Sequence, residues 1–245
     1  IANASDTHVC VPLQGSGTFV VEAAICTLIP SDGKALILIN GAYGHRMVKI
    51  LEYVGRSYVI QETPEDQPPS IDVLDQTLMD DPEISHVLTV HCETTSGILN
   101  PVEEIARTVK AHDRFMIIDA MSAFGAIALD AAKIPFDALM ASSNKCLEGV
   151  PGMGFALIRK HVLAECEGNA HSLSLDLYDQ WQAMEINSQW RFTPPTHVIA
   201  AFDAAMKQFE AEGGVVGRHK RYSRNCRILI DGMRELGFKT LLSDN

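Results

Sequence analysis

No stretch of this chain approaches the about 18–20 consecutive apolar residues that a membrane-spanning helix needs, so no membrane partner is expected. The opening residues show no signal-peptide pattern. They run almost at once into a strand-like segment, and the last residues stop as another strand begins, so we expect further structure beyond both ends. Positive charge is scarce: 20 Lys and Arg against 31 Asp and Glu leave a formal net charge of −11. Nucleic-acid binding rests on cations that neutralise phosphates, so no nucleic-acid partner is expected. A small anion in one pocket stays open, because a few dipoles and cations govern a pocket locally. Paired cysteines are missing too. Cys10, Cys26, Cys92, Cys146, Cys166 and Cys226 form no CxxC pair and no metal-like spacing. They read as reduced core thiols of a cytoplasmic protein. His86 and His91 fall five apart on one strand and face opposite ways, so no metal is expected.

What is present is an alternation of strand and helix. HVCVPLQ (8–14) reads as a strand, then GSGT opens an apolar helix to about Leu28. KALILIN (34–40) is a continuous apolar run, as in a strand buried on both faces. Met47, Ile50, Leu51 and Val54 then share one helix face. Strand SYVIQE, helix SIDVLDQTLMDD and strand HVLTVHCE (86–93) follow. The next helix, NPVEEIARTVKAH, reads with Asn100 as N-cap, Pro101 at the first helical position and Glu103 completing a capping box. Strand RFMIIDAM (114–121) precedes the segments AIALD, DALMASS and GFALIRK, read as further strands. Two long helices close the chain, from Thr196 to about Glu212 and from about Val215 to Leu236; Val198, Phe202, Ala205 and Phe209 stripe the first. This pattern predicts an α/β fold, a mainly parallel sheet with helices on both faces.

In such sheets ligands bind beyond the carboxyl ends of the strands, and five polar groups fall there. Gly15-Ser16-Gly17-Thr18 aims free backbone N–H groups and a helix dipole at one point, which suits a phosphate. A flexible glycine turn accounts for it equally, and the spacing is neither GxGxxG nor a P-loop. Tyr43 between two glycines offers an aromatic face to a flat ring, or is an ordinary core or surface tyrosine. Thr94, Thr95 and Ser96 offer hydroxyls to a ligand, or cap the next helix. Asp119 ends an apolar run, where a buried carboxylate needs a cation or hydrogen-bond donors. Lys145 follows a buried strand in DALMASSNKCLEGVPG; alone it reads as a solvated lysine. Together the five supply what pyridoxal 5'-phosphate requires: a phosphate cup, an amine, an aromatic wall and a carboxylate for the ring nitrogen.

In order, GSGT, NGAYG, HCETTSG, IIDAMSAFG, SSNKCLEGVPG and WRFTPPTH resemble the class V (fold type I) pyridoxal-phosphate aminotransferases over essentially the whole chain. The resemblance implies that family's large domain, a mixed sheet of seven-stranded type, over 1–214. Residues 215–245 would be a connecting helix and the start of a small C-terminal domain that is largely absent. It implies that Lys145 forms the Schiff base, that Asp119 pairs with the pyridine nitrogen, and that Tyr43 stacks on the ring. Ser16, Gly17 and Thr18 would hold the phosphate, Thr94 would reach the ring's phenolic oxygen, and Asn144 would contact the cofactor. It further implies a homodimer with the site at the interface, where Thr193 reaches the phosphate of the partner's cofactor. The family's Thr-Pro-Gly-Pro-like segment would precede residue 1, and an arginine for the substrate's acidic group would follow residue 245.

SLSLDLYDQW and WRFTPPTH narrow the likeness to the branch that moves the amine of 2-aminoethylphosphonate to pyruvate, giving phosphonoacetaldehyde and alanine. The desolvated lysine expected there would serve as nucleophile, then as general base and acid. Another class V transaminase, such as an alanine–glyoxylate enzyme, is the neighbouring reading. A cysteine desulfurase fits less well, since those enzymes stack a histidine where Tyr43 stands. A nucleotide-dependent oxidoreductase would leave Asp119 and Lys145 without work, and a non-catalytic binding protein is the remaining alternative.

Overall fold

The structure, a computed structural model, describes residues 1–244. Its centre is one sheet of β1 (His8–Gly15), β2 (Lys34–Ile39), β3 (Ser57–Glu62), β4 (Ile84–Val90), β5 (Phe115–Asp119), β6 (Ala138–Ser142) and β7 (Gly152–Arg159). The strand order is β1-β7-β6-β5-β4-β2-β3. The strands from β3 through β6 pair in parallel, while β7 runs antiparallel to both β6 and β1. Two reversals return β1 to the direction of β6. The carboxyl ends of β1, β2, β4, β5 and β6 therefore open onto one edge of the sheet.

Helices cover both faces: α1 (Gly17–Leu28), α2 (Ala42–Val54), α3 (Ile71–Asp80), α4 (Val102–Ala111), α5 (Lys160–Ala164), α6 (Leu177–Asn187), α7 (Thr196–Ala211) and α8 (Gly214–Glu235). The period-2 alternation of strand side chains divides the core in two. Ala35, Ile37 and Ile39 of β2 pack with α1, α2 and Leu177 of α6. Leu36 and Leu38 of the same strand pack with Leu74 and Leu78 of α3, Ile105 and Val109 of α4, and Phe209 of α7. A one-residue slip would exchange these two sets, so burial on both faces specifies the register.

Four expectations change. AIALD (126–130) is not a strand: Phe124 and Ile127 make one isolated bridge, and Asp130 closes a turn by accepting from Ala132 N at 3.0 Å. Asn100 does not cap α4, whose N-cap position is Pro101 with no side-chain cap bond. The Asn100 amide instead donates to Val90 O at 2.8 Å and accepts from Asn40 Nδ2 at 2.7 Å, tying the ends of β4 and β2 together. Glu103, free of a capping role, pairs with Arg107 at 2.7 Å. β4 ends at Val90, which leaves His91 beyond the strand. Of the thiols, Cys26, Cys146 and Cys166 are buried, but Cys10 and Cys226 are exposed. Among the described residues no helix is long and apolar enough to cross a membrane.

Candidate active site

At the shared edge the chain encloses a cavity of about 170 Å³ lined by Ser16, Gly17, Thr18, Tyr43, Asp119, Asn144 and Lys145, together with Arg46 and Ser142. Seven residues singled out in the sequence, drawn from the carboxyl ends of four strands and the segments that follow them, thus meet in one place. A larger cavity of about 600 Å³ lies beneath α8, lined by Cys92, Cys146, Cys226 and Tyr222 among others. Volume does not select between them; chemistry does, because the smaller one has on its wall a buried acid, Asp119, and the buried unpartnered Ser142 Oγ.

The first wall is the turn into α1. Gly15 has φ +127°, a conformation that favours glycine, and a Cβ there would meet the Phe19 ring at 2.7 Å. Ser16 occupies the N-cap position, yet its hydroxyl makes no cap bond, and no acidic residue stands in the first turn. The first N–H groups of α1 and its dipole are therefore not neutralised by side chains of the helix. Gly17 admits no side chain, since a Cβ would sit 2.7 Å from Met121 Sδ.

The second wall is the start of α2. The Gly41 backbone is extended at φ 169°, and a Cβ there would lie 2.4 Å from Glu93. Glu93 is fully buried. Its carboxylate accepts from Tyr43 N at 3.3 Å, Thr95 N at 3.1 Å and Thr95 Oγ1 at 2.9 Å, so one acid holds the helix start that carries the aromatic ring. Arg46, one turn after Tyr43, lies 4.5 Å over that ring and donates to Thr18 Oγ1 at 3.3 Å. It bridges the two walls.

Asp119 closes the floor, with only 4% of its surface exposed. Oδ1 accepts from Met121 N at 3.0 Å, and Oδ2 has no partner among the described residues. Burial pushes its proton affinity up, to a pKa of about 6; Met121 N–H opposes this, Glu93 adds to it, and Arg46 and Lys145 oppose it. Ser142 Oγ, at the end of β6, is buried without a partner. Lys145 and Asn144 lie on the open side and are exposed, so the enclosure expected around the amine is not built by these residues alone.

Two predicted residues lie elsewhere. Thr94 is exposed on the loop after β4, outside this cavity's lining. Thr193 lines a separate cavity with Phe19, Trp190 and Phe192. Sequence reasoning missed Arg46, Glu93 and Ser142. Arg46 had a local signal, its i+3 spacing from Tyr43 on one helix face. Glu93 had none, because its partners Gly41 and Tyr43 are about fifty residues away.

The family model described as Aminotransferase class-V matches residues 5–245 of the chain. A curated relative from Pseudomonas putida, named 2-aminoethylphosphonate–pyruvate transaminase, is 57% identical over 99% of this chain, which spans 66% of that relative's length. Among solved structures, a pyridoxamine-pyruvate aminotransferase from Mesorhizobium loti superposes with a TM-score of 0.88 at 26% identity, over 96% of this chain and 61% of that one. An alanine–glyoxylate aminotransferase from Nostoc sp. gives 0.90 at 18% identity, over 97% of this chain and 63% of that one, and so speaks to the fold alone.

Proposed function

The chain belongs to the class-V aminotransferase family, and on that premise we propose that it is the large-domain part of a pyridoxal 5'-phosphate enzyme that moves the amine of 2-aminoethylphosphonate to pyruvate, giving phosphonoacetaldehyde and alanine. The observation that carries the proposal is the meeting of an uncapped helix start, an aromatic ring, a buried acid and a lysine in one cavity. The name of the Pseudomonas putida relative supplies the two substrates.

The residues suit the cofactor in three respects. The Ser16 hydroxyl and the first N–H groups of α1 are not spent inside the helix cap. Asp119 is buried with one oxygen unpaired, as a partner for a ring N–H requires. Ser142 Oγ is a buried polar atom awaiting a hydrogen bond. Bound there, pyridoxal phosphate supplies an aldehyde that condenses with amines and a ring that accepts electrons from the adjoining carbon.

The chain's own residues do the rest. Ser16, Gly17 and Thr18 bind the phosphate through the α1 start, and the Arg46 cation adjoining Thr18 adds attraction for it. The Tyr43 ring fixes the cofactor plane. Asp119 holds a proton at the ring nitrogen; its buried site strengthens that shared proton because little water competes for it. Lys145 Nζ would be the covalent anchor, and its amine would carry the proton from the donor's carbon to the cofactor's aldehyde carbon, as general base and then acid. Asn144 flanks the amine. A homodimer, with Thr193 reaching the partner's phosphate site, would cover the open side on which Lys145 stands.

The test uses the full-length protein. Mixed with pyridoxal 5'-phosphate it should develop a visible absorption band that Lys145→Ala lacks, and it should turn over 2-aminoethylphosphonate in preference to serine or alanine as donors. A Lys145→Ala variant that keeps both band and turnover would refute the assignment, and a preference for serine or alanine would refute the substrate.

A further inference from the structure

Arg218 takes no part in the cavity, yet it is 1% exposed, the one buried residue of α8. A guanidinium removed from water is costly unless its donors are met, and here the partners are specific. Nε donates to Glu212 Oε2 at 2.7 Å, and one terminal nitrogen donates to the Cys146 backbone carbonyl. The other stands 3.5 Å from Glu148 Oε2, and the plane lies 5.2 Å over the Phe209 ring. Cys146 and Glu148 belong to the turn that begins at Lys145.

That turn is strained and doubly anchored. Glu148 has φ +58°, a left-handed conformation that a non-glycine residue adopts only when its surroundings enforce it. Its carboxylate receives Arg221 Nη2 at 2.9 and 3.0 Å and Tyr222 Oη–H at 2.7 Å, both from α8. Inside the turn Glu148 N donates to Lys145 O at 2.9 Å and Gly149 N to Ser143 O at 2.7 Å. At the far end Ser143 Oγ donates to Val150 O at 2.7 Å. Of the α8 cations, Arg218 is the one bonded to the carbonyl next to Lys145.

We propose that Arg218 is a positioning residue for Lys145: from α8 it fixes the Cys146 carbonyl and Glu148, and thereby the backbone root from which the lysine amine reaches the cavity. This rests on the reading of Lys145 given above. The lysine stem is long and flexible, so the placement of its amine depends on how firmly its root is held. A misplacement of about 1 Å at a reacting group costs on the order of a hundredfold in rate. A set α8 is thus a condition for a reactive Lys145, although no atom of α8 need touch substrate.

The experiment compares Arg218→Met with Arg221→Met in full-length protein. Arg221 shares the ion network but does not touch the Cys146 carbonyl. The readouts are the rate at which cofactor-free protein develops its visible band with pyridoxal 5'-phosphate, the melting temperature, and kcat and KM for the amino donor. Arg218→Met should slow band formation about tenfold or more and lower kcat with KM nearly constant; Arg221→Met should keep the rate within about threefold at a similar loss of melting temperature. Equal rates for the two variants overturn the proposal. Should Arg218→Met not fold, Arg218→Lys against Arg221→Lys decides by the same comparison. A wild type with no band sensitive to Lys145→Ala overturns the reading of the site and the proposal with it. A normal wild-type band with equal variant rates removes the brace alone.

Discussion

Replacing Gly41 by alanine adds one methyl group to a residue without chemistry, yet it should cost about 3 kcal/mol of stability. The backbone there is extended, φ 169°, so alanine meets no torsional objection. The obstacle is space: the new Cβ would stand 2.4 Å from Glu93 Cγ and Cδ and 2.6 Å from Thr95 Oγ1. Glu93 is 0% exposed, so its carboxylate cannot retreat into water. To make room it must loosen the bonds to Tyr43 N at 3.3 Å, Thr95 N at 3.1 Å and Thr95 Oγ1 at 2.9 Å. Overpacking a filled site costs about 1–3 kcal/mol, and weakening hydrogen bonds to a charged acceptor about 1.5–3 kcal/mol. The two overlap, because the movement that relieves one incurs the other. Urea unfolding followed by circular dichroism gives the loss as a lower midpoint at unchanged slope. In a Glu93→Ala background the methyl meets only the hydroxyl of exposed Thr95, freed of its bond to Glu93 and able to turn aside, and should cost under about 1 kcal/mol, a coupling of about 2 kcal/mol. A cost below about 1 kcal/mol in the wild type, or equal costs in both backgrounds, would refute the reasoning.

Asp119 makes the cofactor-free chain sensitive to pH in a definite direction. Its folded pKa of about 6 exceeds the ordinary 3.8, so the folded state holds the extra proton, and this stabilisation is lost as pH rises from about 4 to about 6. The span amounts to about 3 kcal/mol, and the stability of Asp119→Asn relative to wild type should climb by that much across the window; a flat difference in urea midpoints refutes it. Buried His86 acts with the opposite sign. Burial lowers its pKa from 6.5 to about 4, so its stabilisation is present above 6.5 and lost as pH falls toward 4. His86→Gln should flatten that acid limb, and an unchanged limb counts against it. Asn100→Ala should cost about 2–3 kcal/mol, more than a lost helix cap, since it takes the donor from Asn40 Oδ1 and Val90 O and one of the two acceptors from Asn40 Nδ2. Additivity of Asn100→Ala with Asn40→Ala in unfolding free energy would show that the two amides are not one unit.

Much of the site was readable locally. The apolar run of β2 announced burial on both faces, and both cores confirm it residue by residue. Ser16, Tyr43, Asp119 and Lys145 could be placed at strand ends because each follows a recognisable strand by a few residues. Parallel β-α-β order then brings those ends to one edge, whatever the loops contain. The antiparallel β7 was less legible, since GFALIRK has the same apolar run in either direction.

The chain sequence by itself determined periodicity, strand burial, the glycine turn into α1 and the set of polar residues at the strand ends, all of which depend on neighbours a few residues apart. Only the tertiary structure decided how those polar groups spend their hydrogen bonds. Asn100 lies one residue before the N-cap position, Pro101, and Asn40, sixty residues earlier, claims its amide. Glu93 and Gly41 form a lock that neither segment announces. Arg218 reaches the carbonyl beside Lys145 across 72 residues of sequence. A buried polar group must be satisfied by whatever the fold places against it, and that neighbour is set by packing rather than by position along the chain.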